Sequence, residues 1–196
     1  MKTRIVITIV LSIIYVLPYA QNGTSQKDSD PCDFQRFIND PKTPTLAKNI
    51  YLDNEWNLEN DYESLALLDS LTAKDKSSRP FYFKVVTKSE EKSDGYYSES
   101  LGGVGFNYIL NNTQEFASYF DDNKCNTDKD LAIWANIVIL ELGIAEEGNY
   151  DKPIAEEFIK TLNSNCISCS NSQKETVQKF GSIFKNKWIE YLKKQD

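Results

Sequence analysis

Chemistry in this chain has to come from cysteines and carboxylates, because the sequence contains no histidine. That removes Ser-His-Asp and Cys-His nucleophile systems, histidine-based zinc enzymes and the commonest general base. Cys166-Ile167-Ser168-Cys169 has the spacing of a redox dithiol. In thioredoxin-like proteins that spacing sits at a strand-to-helix junction within a βαβ unit. Here it falls between two helical patterns, among Asn and Ser turn formers, which points to a structural disulfide. Four cysteines in all, Cys32, Cys125, Cys166 and Cys169, allow three connectivities. The closeness of Cys166 and Cys169 favours a local bridge, which leaves Cys32 and Cys125 as the second pair. Four cysteines would suffice in number for a zinc site, but only one close pair exists, so no metal is expected.

A pair of carboxylates could still act as acid and base, as in glycosidases. The best candidate is Glu141, a lone acid in an apolar stretch where burial would disfavour its charged form. The competing expectation, which carries more weight, is a structural Glu141 at a helix edge, paired with a lysine. No partner carboxylate can be named, so no catalytic residue is assigned. Leu101-Gly102-Gly103-Val104-Gly105 invites a phosphate-loop reading. Tyr108 occupies the place of the third dinucleotide-loop glycine and no Lys-Ser or Lys-Thr follows, so close helix packing is expected instead and no cofactor is implied. Asp121-Asp122-Asn123 starts like a calcium loop but lacks that loop's Gly and terminal Glu.

The elements that would position these residues are read as helices. Asp30 would cap a short helix over Pro31 to Ile38, and Thr43 with Pro44 behind it would start another, lined by Leu46, Ala47, Ile50 and Tyr51. Asn60 with Glu63, Thr127 with Asp130, and Ser172 with Glu175 have the spacing of capping boxes. Phe81 to Val86 is rich in strand formers, yet Phe81, Tyr82, Val85 and Val86 also fit one helical face. Asp94-Gly95 could close a hairpin, but its flanks do not alternate, so two helices are expected, the second carrying Tyr97, Leu101, Val104 and Tyr108. Leu131 to Ala145 has no clear polar face and is read as the central, buried helix, ending at Gly148. Asp151 and Pro153 open an amphipathic helix, and the last helix carries Val177, Phe180, Phe184, Trp188, Tyr191 and Leu192 on one stripe. The fold class is all-α: an irregular bundle or array of about seven or eight helices.

Residues 1–20 stand apart. Lys2 and Arg4 precede an apolar run from Ile5 to Leu17, and Ala20 precedes polar residues, which is the pattern of a cleaved signal peptide. Residues 21–30 read as a polar, disordered leader and 31–196 as a single helical domain. No later apolar run is long enough to span a membrane. Removing residues 1–20 takes away Lys2 and Arg4 and leaves 20 basic against 29 acidic side chains, a net charge of −9. That balance argues against nucleic acid and anionic membranes as main partners and suits either solubility, the stronger explanation, or a basic protein partner. The expected location is periplasmic or extracellular.

Arg79-Pro80-Phe81-Tyr82-Phe83 and Lys92-Ser93-Asp94-Gly95 lie within a segment, Ala66 to Gly102. That segment resembles small exported helical proteins of Bacteroidota without an assigned function. The resemblance implies helices and export and brings no catalytic residue. By elimination the expected function is that of an exported, non-catalytic interaction protein, such as an inhibitor or immunity-type protein that binds another protein. The alternative is a carboxylate-based hydrolase of cell-wall or sugar polymers.

Overall fold

A computed structural model describes residues 34–121, 125–145 and 153–194. Among them are nine α-helices and no strand: α1 Gln35–Asn39, α2 Thr45–Leu52, α3 Asp61–Asp69, α4 Arg79–Ser89, α5 Gly95–Asn111, α6 Thr113–Ser118, α7 Asp128–Ala145, α8 Ile154–Asn165 and α9 Asn171–Leu192. Single 3-10 turns, Ser70–Thr72 and Glu90–Lys92, extend α3 and α4. The all-α expectation holds. The count exceeds seven or eight because Asn112 interrupts one apolar pattern: it ends α5 and precedes α6. The signal peptide, the leader, Asp30, Cys32, Gly148 and Asp151 lie outside the described residues.

The strand-forming run Phe81 to Val86 is helical. Pro80 suits the first turn of α4, where an N–H has no partner to lose. Phe81, Phe83, Val85 and Val86 are then fully buried on several sides at once. Burial over most of the helix, with only Tyr82, Lys84 and Lys88 partly exposed between Phe81 and Ser89, overrides the local preference for extended structure.

The helix starts follow the side chains that can cap them, with two corrections. Thr127 and Asp130 form the expected box: the Thr127 N–H donates to Asp130 Oδ2 at 2.7 Å, and the Asp130 N–H donates to Thr127 Oγ1 at 3.4 Å. Asn60 Oδ1 accepts from the Glu63 N–H. The box of α9 is formed by Ser170 and Gln173, not by Ser172 and Glu175. The Cys169 N–H closes a turn onto Cys166 O, which leaves Ser170 extended and free to cap two residues early. Thr43 caps nothing; it is buried in the turn before α2, its N–H donating to Asp40 O, and Pro44 takes the cap position.

The core centres on α7, which packs against α5 on one side and α9 on the other. Trp134 of α7 is fully buried and stacks on Phe83 of α4 at 4.7 Å between ring centroids. Its indole N–H donates to Thr87 Oγ1 at 2.8 Å, and Thr87 in turn donates to Phe83 O. A buried ring and its polar edge are thus satisfied together. The glycine run of α5 serves close packing, as expected. A Cβ at Gly105 would stand 2.5 Å from Ile137 Cγ2, and one at Gly102 would stand 3.4 Å from the Glu141 backbone nitrogen.

Candidate binding grooves

The central helix is not buried on every side. Spaced by three, four and four residues, Ile133, Asn136, Leu140 and Ile144 fall on one arc of α7. Ile133 and Asn136 are half-buried, while Leu140 and Ile144 keep 36% and 58% of their surface exposed. Ile137, the residue after Asn136, is buried instead and packs into the space left by Gly105. Two grooves follow this arc. One of about 580 Å³ includes Lys84, Lys88, Lys129 and Ile133. The other, of about 460 Å³, includes Asn136, Leu140, Lys187, Glu190 and Tyr191. Glu90 borders both.

Glu90 is the titratable group that sequence reasoning missed. Burial raises its carboxyl above the ordinary range, while a hydrogen bond with Asn136 and the Lys187 charge pull the other way. It sits in Ser89-Glu90-Glu91-Lys92, which reads as an exposed polar flank, and only the packing of the 3-10 turn reveals its half-burial. The residue nominated from sequence, Glu141, lies elsewhere. Its carboxylate stands over Gly103 of α5, and it makes no salt bridge among the described residues. Among the described residues Glu141 has no lysine partner, and Glu141 and Glu90 line neither of these two grooves together.

On another face, Arg79, Tyr108, Glu115 and Tyr119 form a polar cluster. Arg79 Nη1 donates to Glu115 Oε2 and Tyr119 Oη donates to Glu115 Oε1, both at 2.8 Å, while Tyr108 Oη approaches Oε1 at 3.4 Å. Arg79 Nε also donates to Ala73 O. Burial, then the neighbouring Tyr119 and Glu115, push Tyr108 far above the usual phenol range. Burial and its bond to Glu115 do the same for Tyr119. Glu115 forms part of the wall of a groove of about 740 Å³ between the α5–α6 junction, the end of α8 and the start of α9.

Cys166 and Cys169 are disulfide-bonded, with Cα atoms 5.0 Å apart. Cys125 is also disulfide-bonded. The expected link to Cys32 lies outside the described residues. The described residues contain no group of three or more His, Cys, Asp or Glu placed to hold a metal, and none of their helices is long and apolar enough to cross a membrane. Asp121 meets the Ser172 hydroxyl rather than a cluster of acids; Asp122 and Asn123 lie outside the described residues.

No protein-family model matches the chain, and no curated protein and no solved structure is significantly similar to it.

The geometry therefore has to speak for itself. Two ion pairs border the first of the α7 grooves: Lys84 of α4 pairs with Asp130 of α7 at 3.0 Å, and Lys88 of α4 with Asp53 at 2.6 Å. Neither pair leaves a free nucleophile or base. What the face offers is a row of aliphatic side chains between charged rims, an arrangement suited to covering by another surface.

Proposed function

We propose that the protein is an exported, non-catalytic interaction protein that binds another protein along the open arc of α7, in the manner of an inhibitor or immunity-type protein. The observation that carries this reading is that the most central helix leaves Leu140 and Ile144 exposed in register. A central helix normally buries such residues, and large exposed aliphatics rimmed by charge mark interaction sites. Export is supported by the signal-like start and by paired cysteines, which persist in oxidising compartments. The acidic balance suits a basic partner and would speed encounter with one.

The test is affinity capture from the protein's own cells with wild-type protein and with a Leu140→Glu, Ile144→Glu double variant. One partner retained by the wild type and lost by the folded variant is expected. Equal recovery on both would refute the site.

The hydrolase reading has one observation in its favour: Glu90, with its raised carboxyl, shares a groove with Glu190. Glu190 is exposed, however, and Asn136 and the Lys187 charge both favour the ionised form of Glu90. Clearing of cell-wall or sugar polymers by the wild type, abolished in Glu90→Gln, would establish it over the binding reading.

A further inference from the structure

A second site, separate from the α7 face, is built from carboxamides. The 740 Å³ groove between the α5–α6 junction and the α8–α9 junction is walled by Asn111, Asn112, Gln114, Asn165 and Gln173, and Glu115 is its one charged residue. Its size lies in the range of small-ligand sites. We propose that it binds a neutral saccharide.

The orientation of the amides carries the argument. Asn165 Nδ2 donates to Leu110 O at 2.8 Å, and Asn112 Nδ2 donates to Tyr108 O at 3.3 Å. A backbone carbonyl can only accept, so each amide must turn its nitrogen toward the helix end and keep its oxygen available. Gln173 is turned the opposite way. Its Oε1 accepts from the Ser170 N–H in the cap of α9, which leaves its amino group as a donor. The groove thus sets fixed acceptors against a fixed donor. A hydroxyl both donates and accepts and can satisfy such a set; an ammonium cannot use the donor and a phosphate cannot use the acceptors. Charge agrees: the single carboxylate, Glu115, is already met by Arg79 and Tyr119. The site is therefore electrically quiet in a strongly acidic molecule.

The neighbouring groove of about 680 Å³ shares Asn111 and Asn112 and adds an apolar strip of Leu65, Leu68, Val104 and Tyr108, with the carboxylates Asp69 and Glu99 also in its wall. An apolar strip beside a polar one matches the two faces of a pyranose ring, so the natural ligand has more than one sugar unit.

The experiment is titration calorimetry of the full mature chain with cello-, xylo- and N-acetylated chito-oligosaccharides, with spermidine and a sulfated oligosaccharide as charged probes. At least one neutral series binds. Gln173→Glu keeps the capping oxygen but removes the donor, and Asn165→Ala removes an acceptor; each weakens that binding about tenfold or more with thermal stability held. Glu55→Gln, an exposed residue outside every groove described, leaves it unchanged. The proposal is overturned if no neutral oligosaccharide binds, if only a charged probe binds, or if both groove variants bind as the wild type does.

Discussion

Arg79, Tyr108 and Tyr119 converge on one half-buried carboxylate, Glu115. It accepts from Arg79 and Tyr119 and stands next to Tyr108, so its removal leaves a guanidinium and two phenols short of a partner. Glu115→Ala should cost about 3 kcal/mol in denaturant unfolding, because an uncompensated buried charge costs more than the pair itself was worth. A loss under about 0.5 kcal/mol would mean that water replaces the carboxylate freely. The phenols give a second expectation. Tyr97, hydrogen-bonded to Ser89 at 2.7 Å, is pushed up to about 12 by burial, against an ordinary value of 10.0. A group whose proton is held more tightly in the folded state stabilises the fold below its unfolded pKa and loses that contribution as pH rises. Unfolding free energy should therefore fall from about pH 10 upward, and Tyr97→Phe should flatten part of that slope. A slope unchanged in Tyr97→Phe would refute the assignment. At this scale the sequence was only partly legible. The cysteine pair at 166 and 169 could be read from spacing alone. Glu90 and Glu115 could not, because their environment is supplied by residues far along the chain.

At the scale of elements, helix starts were legible where a short polar side chain had a single place to cap, as at Thr127. Where two serines stood two residues apart, at Ser170 and Ser172, the tertiary turn at Cys169 decided between them. The strand-like composition of α4 left its conformation ambiguous, and the helix expected there from the spacing of Phe81, Tyr82, Val85 and Val86 is the one found. The α5–α7 contact gives a sharp test. A Cβ at Gly105 meets a branched side chain of the facing helix, whereas one at Gly103 meets only the flexible end of Glu141 at 3.4 Å. Gly105→Ala should destabilise by about 1–3 kcal/mol through overpacking. Gly103→Ala should be neutral or gain up to about 1 kcal/mol from helix propensity. Equal effects in thermal melts would show that α5 does not approach α7 so closely.

For the whole molecule, the all-α class was legible from periodicity, and the open face of α7 was not. A helix apolar on all sides reads as buried, and only its neighbours' placement shows which arc they leave uncovered. Covalent ties are the other property of this scale. Non-reducing peptide mapping of protein from the exported fraction should recover Cys166 with Cys169 and Cys32 with Cys125, in a chain lacking about its first twenty residues. A Cys32–Cys166 or Cys32–Cys169 link would contradict that pairing, and a full-length soluble chain would contradict cleavage. A Cys32–Cys125 bridge would close a long loop and should contribute about 4 kcal/mol by chain-entropy reasoning, measurable as the loss on selective removal of that pair.

The three tryptophans make the molecule its own optical instrument. Trp134 lies in the core beside Tyr108, their rings 5.9 Å apart, and Tyr108 borders the apolar strip next to the carboxamide groove. Trp188 stacks at 5.4 Å on Tyr191, which borders the α7 groove. Trp56 is half-buried beneath the Lys92 ammonium, 4.3 Å from its ring centre. Acrylamide should quench the Trp56 emission first and the Trp134 emission last, and single-tryptophan variants would separate the three bands. A saccharide would then announce itself through the blue-emitting Trp134 and a protein partner through Trp188, so that the two grooves could be watched independently in one cuvette.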